Sequence, residues 1–133
     1  MGPGSYLFQI YRTRTGACSW RLVSPNGRAL GCSVGSFPGP GDARRAVHVS
    51  VDNVDRLEPV LRTQEDHRWL WTLHLDGEPV VRGAVTQDRH VRCVMAWQRF
   101  VLAAPLGTVS AEVLDFSHAG GRDARALRLV APL

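Results

Sequence analysis

One pattern occurs twice in this chain. Ser19-Trp20-Arg21-Leu22-Val23-Ser24-Pro25-Asn26-Gly27 places an aromatic and a leucine two residues apart, then closes on Asn-Gly. Leu70-Trp71-Thr72-Leu73-His74-Leu75-Asp76-Gly77 does the same and closes on Asp-Gly. Trp71 follows Trp20 at nearly the interval at which Gly77 follows Gly27, with one residue fewer between the second pair. Period-2 alternation of large apolar residues marks a strand with one buried face, and Asn-Gly or Asp-Gly marks a hairpin turn. A repeated strand-and-turn unit predicts a fold made of two similar halves that bury their apolar faces together.

The segments around the repeat fit this reading. Tyr6 to Thr13 alternates Phe8 and Ile10 against Gln9 and Tyr11, and Thr15-Gly16 turns the chain into the Trp20 strand. A third strand is expected over about Ala29 to Val34. The loop Ser36-Phe37-Pro38-Gly39-Pro40-Gly41 then leads to Asp42, a good helix N-cap. From Ala43 to Val54, Ala43, Ala46, Val47, Ser50, Val51 and Val54 share a helical stripe opposite Arg44, Arg45, His48 and Asp52.

The second half is expected to begin near Arg56. Leu57 to Thr63 is strand-like, with Pro59 confining it to an edge or bulge. His67 to Leu75 and Pro79 to Val85 follow as strands. Asp88 can cap a second helix that runs to about Ala103, before Pro105 and Gly107. In that helix Val91, Val94, Met95, Val101 and Leu102 are the expected buried stripe. Cys93, Trp97 and Phe100 then lie off it, with Arg89, Arg92 and Arg99 on the remaining polar side. A helix apolar on most sides calls for a second cover. The candidates are residues 117–133 or a second copy of the chain, which would make a homodimer. Beyond the helix, Thr108 to Phe116 and Arg125 to Ala131 are strand-like, separated by a Gly120-Gly121 loop.

With 133 residues, 44% hydrophobic and 21% charged, the chain is sized and composed for one globular domain. No apolar run reaches membrane-spanning length, and no charged-then-apolar leader opens the chain. A cytoplasmic location without membrane contact is therefore expected. Met1 to Ser5 reads as a cloning remnant and is set aside from the fold.

All 16 basic residues are arginine, against 12 acidic ones, for a net charge of +4. The arginines are spread along the chain, as a GC-rich coding sequence would produce. Arginine is also the side chain of choice for binding phosphate and carboxylate. Three cysteines, Cys18, Cys32 and Cys93, show no close ligand spacing and read as buried small hydrophobes.

The order strand, strand, Asn-Gly turn, strand, amphipathic helix, strand, given twice, resembles the bacterial YegP-like family, a domain of unknown function. The resemblance rests on Phe8-Gln9-Ile10-Tyr11, Trp20-Arg21-Leu22 with Asn26-Gly27, and Ser50-Val51-Asp52-Asn53-Val54. In the second half it rests on Trp69-Leu70-Trp71-Thr72-Leu73 with Asp76-Gly77, and on Ala111-Glu112-Val113-Leu114-Asp115-Phe116. It implies an α+β fold of two tandem β3-α-β units, about 6–55 and 56–116, with 117–133 as a C-terminal extension. The units would share one mainly antiparallel sheet with both helices on one face and exchange their terminal strands. No activity is implied.

Signals for chemistry are sparse. Glu65-Asp66-His67 offers an acid and a base, but a charged run at a strand start reads first as a solvated turn, and no Gly-x-Ser-x-Gly elbow accompanies it. His90-x-x-Cys93 supplies two metal ligands on one helix face, where a closed zinc site needs four. The prolines of the 35–41 loop remove the N–H donors a phosphate cradle requires. No metal or cofactor is expected.

Three functions follow, in order. The first is a non-catalytic binding module for a protein or small-molecule partner, using Trp97, Phe100, Arg89, Arg92 and Arg99. The second is nucleic-acid binding through Arg12, Arg14 and Arg28, gathered at hairpin ends, with Trp20, Trp69 and Trp71 to stack on bases. The third is a small-molecule enzyme with a pocket between the two halves.

Overall fold

A computed structural model describes residues 5–116. Met1 to Gly4 of the remnant expected over Met1 to Ser5, and the expected extension 117–133, lie outside the described residues, as does the strand expected over Arg125 to Ala131. Three strands open the chain: β1 (Leu7–Arg12), β2 (Cys18–Val23) and β3 (Ala29–Ser33). Helix α1 (Pro40–Asp52) follows, then β4 (Glu58–Thr63), β5 (Trp69–Leu75) and β6 (Glu78–Gly83). Helix α2 (His90–Ala103) and β7 (Thr108–Asp115) complete the order. Each helix runs into a short 3-10 turn, Val54–Arg56 and Ala104–Leu106.

The seven strands form one sheet in the order β4-β5-β6-β3-β2-β1-β7. Every pairing is antiparallel except β1 with β7, which is parallel. The class is α+β: one sheet and two helices. Pro59 sits in edge strand β4, where its missing N–H costs no ladder bond. The hairpin turns behave as their residues dictate. Asp76 and Gly77 both take positive φ, 51° and 86°, and Gly27 takes 86°. That backbone matches the twist of the flanking strands.

Strand alternation divides the sheet cleanly. Phe8 and Ile10, Trp20 and Leu22, Trp71 and Leu73, and Val81 point toward the helices and are enclosed in a single core. Ala43, Val47 and Ser50 of α1 are buried, with Ala46, Val51 and Val54 packed alongside, as the helical stripe predicts. The helix starts earlier than expected, with Gly39 as N-cap and Pro40 in the first turn. Asp42 lies inside that turn and pairs with Arg45 at 2.9 Å. Its charge favours the helix N-terminus without capping it.

Helix α2 is turned the other way from the expectation. Cys93 and Phe100 are fully buried, Ala103 nearly so, and Trp97 is half-buried against the core. Val91, Met95 and Leu102, expected inside, are 59%, 56% and 75% exposed. The reason is volume. Residues 93, 96, 97, 100, 103 and 104 also form a helical stripe, and it carries the rings that fill the space over β3 and β5. Phe100 stacks on Trp20 and tilts against Trp71, with centroids 6.3 and 5.6 Å away. Phe100 therefore needs no further cover. Arg89 is the N-cap in place of Asp88. Among the described residues no helix is long and apolar enough to cross a membrane.

Candidate functional site

The rotation of α2 creates the most distinctive surface of the molecule. Its outer side presents Val91, Met95 and Leu102 interleaved with Arg92 and Arg99, and Leu106 extends the apolar strip. Arg28, carried on the turn between β2 and β3, comes up beside the helix. Together Arg28, Arg89, Arg92, Arg99, Met95 and Ala96 line a cleft of about 480 Å³. Arg99 also borders two neighbouring hollows. One contains Tyr6, Arg28 and Leu30, the other Tyr6, Met95, Leu102 and Leu106.

Arg92 meets Asp88 at 3.8 Å, a solvated contact of little energetic weight. Among the described residues Arg28, Arg89 and Arg99 have no carboxylate partner. Their charge is directed to the cleft and to solvent.

The expected grouping of Arg12, Arg14 and Arg28 is not found. Arg12 and Arg14 belong to the hairpin between β1 and β2, where Arg12 Nη1 donates to the Gly16 carbonyl at 2.8 Å. Arg28 lies at the opposite end of β2. It joins the α2 arginines because β3 pairs with β6, bringing the first half of the chain beside the second. Of the expected surface residues, Arg89, Arg92 and Arg99 do lie together, whereas Phe100 is 1% exposed and belongs to the core.

The aromatics are similarly withdrawn. Trp20 and Trp71 are each 1% exposed, and Trp69 is half-buried with the His90 ring 4.8 Å away, edge to face. They offer no open platform for bases. The Glu65-Asp66-His67 run is an exposed turn: Asp66 Oδ1 accepts the Arg68 backbone N–H at 3.0 Å, and His67 takes a left-handed φ of 64°. Cys93 faces the core while His90 is exposed, so the two do not form a ligand pair. Among the described residues no three of His, Cys, Asp or Glu converge as a metal site would require. The 35–41 loop is pinned to the sheet by reciprocal backbone bonds of 2.7 Å between Cys18 and Phe37.

A second polar region lies on the sheet face away from the helices, and the sequence reading missed it. Arg21, Cys32 and Arg82 stand in register across β2, β3 and β6. Tyr11 and Ser19 are paired one row further along. Tyr11, Ser19, Arg21 and Cys32 are all buried, on the face turned away from α1 and α2. Burial pushes the Cys32 thiol and the Tyr11 phenol above their ordinary pKa values and pulls the Arg21 guanidinium below its own. The available signal was the outward register of these strands, in which arginine twice falls beside the same cysteine.

A mixed α+β sheet with this helix placement has solved counterparts. The chain is similar in structure to yegP from E. coli, a protein of unknown function: TM-score 0.59, 11% identity, covering 84% of this chain and 93% of that one. It is likewise similar to a UPF0339 protein from Shewanella oneidensis: TM-score 0.62, 10% identity, covering 91% and 98%. At such identities the likeness establishes a shared YegP-like fold. No family model and no curated protein matches the sequence.

Proposed function

We propose that this chain is a non-catalytic binding module whose α2 surface docks an acidic, partly apolar protein partner. The observation that carries this reading is the interleaving of Val91, Met95 and Leu102 with Arg92 and Arg99 around an arginine-lined cleft. Exposed aliphatic side chains rimmed by charge characterise protein-binding surfaces.

The reading includes a fold of two tandem β3-α-β units that meet at β3 and β6. Support comes from paired details. Gly27 and Gly77 share φ of 86°, Trp20 and Trp71 are both 1% exposed, and each helix runs into a 3-10 turn. The bridge of Cys18 to Phe37 is matched by that of Trp69 to Gln87. In this frame α1 is the internal reference for α2. The outer side of α1 carries Arg45, His48 and Asp52 with one exposed aliphatic residue, Val49, whereas that of α2 carries Val91, Met95 and Leu102.

Nucleic-acid binding is the second reading, favoured by the three cleft arginines that have no carboxylate partner among the described residues. The withdrawn tryptophans and exposed aliphatics weigh against it. Fluorescence anisotropy separates the two. Protein docking expects a labelled amphipathic Glu/Leu peptide to bind, and to be lost with either Arg92→Glu/Arg99→Glu or Met95→Ser/Leu102→Ser. Nucleic-acid binding expects a single-stranded oligonucleotide to bind in a salt-dependent way, sensitive to the arginine variant alone. Failure of the peptide to bind in low salt defeats the protein-docking reading.

A further inference from the structure

The α2 cleft concentrates positive charge that the described residues leave uncompensated. Its arginines come from two places in the chain: Arg28 on the turn between β2 and β3, then Arg89, Arg92 and Arg99 at and along the helix. No Asp or Glu lines the cleft. Among the described residues the guanidiniums of Arg28, Arg89 and Arg99 make no hydrogen bond or ion pair, and Arg92 reaches only Asp88, at 3.8 Å. Helix α2 also begins with no acidic residue in its first turn and no side-chain cap, so its positive pole adds to the same field. In α1 the corresponding turn carries Asp42.

This charge is confined to one end of a longer groove. Met95 and Arg99 also border the hollow of about 340 Å³ that continues along the helix. The rest of its lining is Tyr6, Gln98, Leu102, Ala103 and Leu106, with no further cation. The groove thus passes from guanidiniums to aliphatic side chains, and Arg92 and Leu102 lie about 15 Å apart along the helix axis. An extended peptide covers that distance in about four or five residues.

A phosphate suits the charged end better than a carboxylate does. One carboxylate brings one charge and forks onto one guanidinium, leaving the neighbouring arginines uncompensated. A phosphorylated side chain brings between about one and a half and two charges at neutral pH, with three acceptor oxygens to share among several guanidiniums. We propose that the partner docked on α2 presents a phosphorylated side chain to the arginine cleft and, about four or five positions away, aliphatic residues to Met95, Leu102 and Leu106. This rests on the reading of α2 as a protein-docking surface and adds the chemistry of the anion.

Fluorescence anisotropy with three labelled peptides tests it: phosphoserine, glutamate or serine, each followed by three alanines and two leucines. The phosphorylated peptide should bind about tenfold more tightly than the glutamate peptide, and the serine peptide most weakly. Arg28→Gln and Arg89→Gln alter exposed side chains and should each narrow the gap between the phosphorylated and glutamate peptides. Leu102→Ser should weaken both by the same factor. Unchanged urea midpoints in these variants separate lost contacts from lost folding. Glutamate binding as tightly as phosphoserine, or a gap that both arginine variants leave intact, overturns the phosphate assignment while the docking reading stands. If no peptide binds, the amphipathic Glu/Leu peptide included, the docking reading falls and this proposal with it. Binding of phosphatidylserine vesicles or of an oligonucleotide, without binding of the phosphorylated peptide, overturns the proposal in favour of a membrane or nucleic-acid surface.

Discussion

Gly31 and Gly83 face each other across the β3–β6 pair, on the side covered by α2. A Cβ on Gly31 would lie 2.7 Å from Phe100 Cδ1, and one on Gly83 would lie 2.7 Å from Trp71 Nε1. Both rings thus rest directly on backbone at the seam of the sheet. Gly31→Ala and Gly83→Ala should each destabilise the protein by about 1–3 kcal/mol through overpacking. Urea unfolding midpoints measure this, and a neutral substitution at both sites would show that the rings can move aside.

Phe100 should contribute more to stability than Trp97, because it is fully buried and Trp97 is only half-buried. Phe100→Ala empties the space between Trp20 and Trp71 and should cost about 3–5 kcal/mol. Trp97 is only half-buried, so Trp97→Ala should cost clearly less. The same unfolding experiment ranks them, and the reverse order would contradict the orientation of α2.

The outer arginines should be dispensable for folding. Arg92→Glu and Arg99→Glu alter exposed side chains and should leave stability within about 0.5 kcal/mol of the parent. A large loss would mean that the cleft is part of the scaffold and would weaken its assignment as a docking surface.

Alkaline pH should loosen the fold before it ionises the native chain. Burial raises the Cys32 and Cys93 thiols above their ordinary 9.0 and the Tyr11 phenol above 10.0. The unfolded chain releases these protons first, so native stability is fully present below the ordinary values and declines as pH rises through the shifted ones. Denaturant midpoints followed across that range should fall. Tyr11→Phe, which keeps the ring beneath Arg21, should flatten the upper part of the decline. All three cysteines are free and buried, so thiol reagents at neutral pH should label them only as the protein opens.

Local rules made much of this architecture legible. Asn26-Gly27 and Asp76-Gly77 supplied the turns, alternation around Trp20 and Trp71 supplied buried faces, and Pro59 supplied an edge. The misreading of α2 has a physical origin. The helix is apolar on most sides, so periodicity offers two stripes, and only the space between Trp20 and Trp71 selects the one with Phe100. The cleft was hidden for another reason. Arg28 reaches Arg89 and Arg99 through pairing of β3 with β6, strands far apart in sequence. The row of Arg21, Cys32 and Arg82 depends on that same junction, which no local pattern encodes.

The parallel pairing of β1 with β7 also shapes the birth of the molecule. During synthesis β1 leaves the ribosome before the other described strands, and β7 follows only after both helices and the rest of those strands. Through that interval the outer edge of β1, bearing Phe8 and Ile10, has bare amides and carbonyls along its length. A neighbouring nascent chain that finishes first can lend its own β7 to that edge, linking two molecules by an exchanged strand. Crowded polysomes should thus pose a greater hazard to this fold than dilute solution does, and slower initiation should reduce strand exchange.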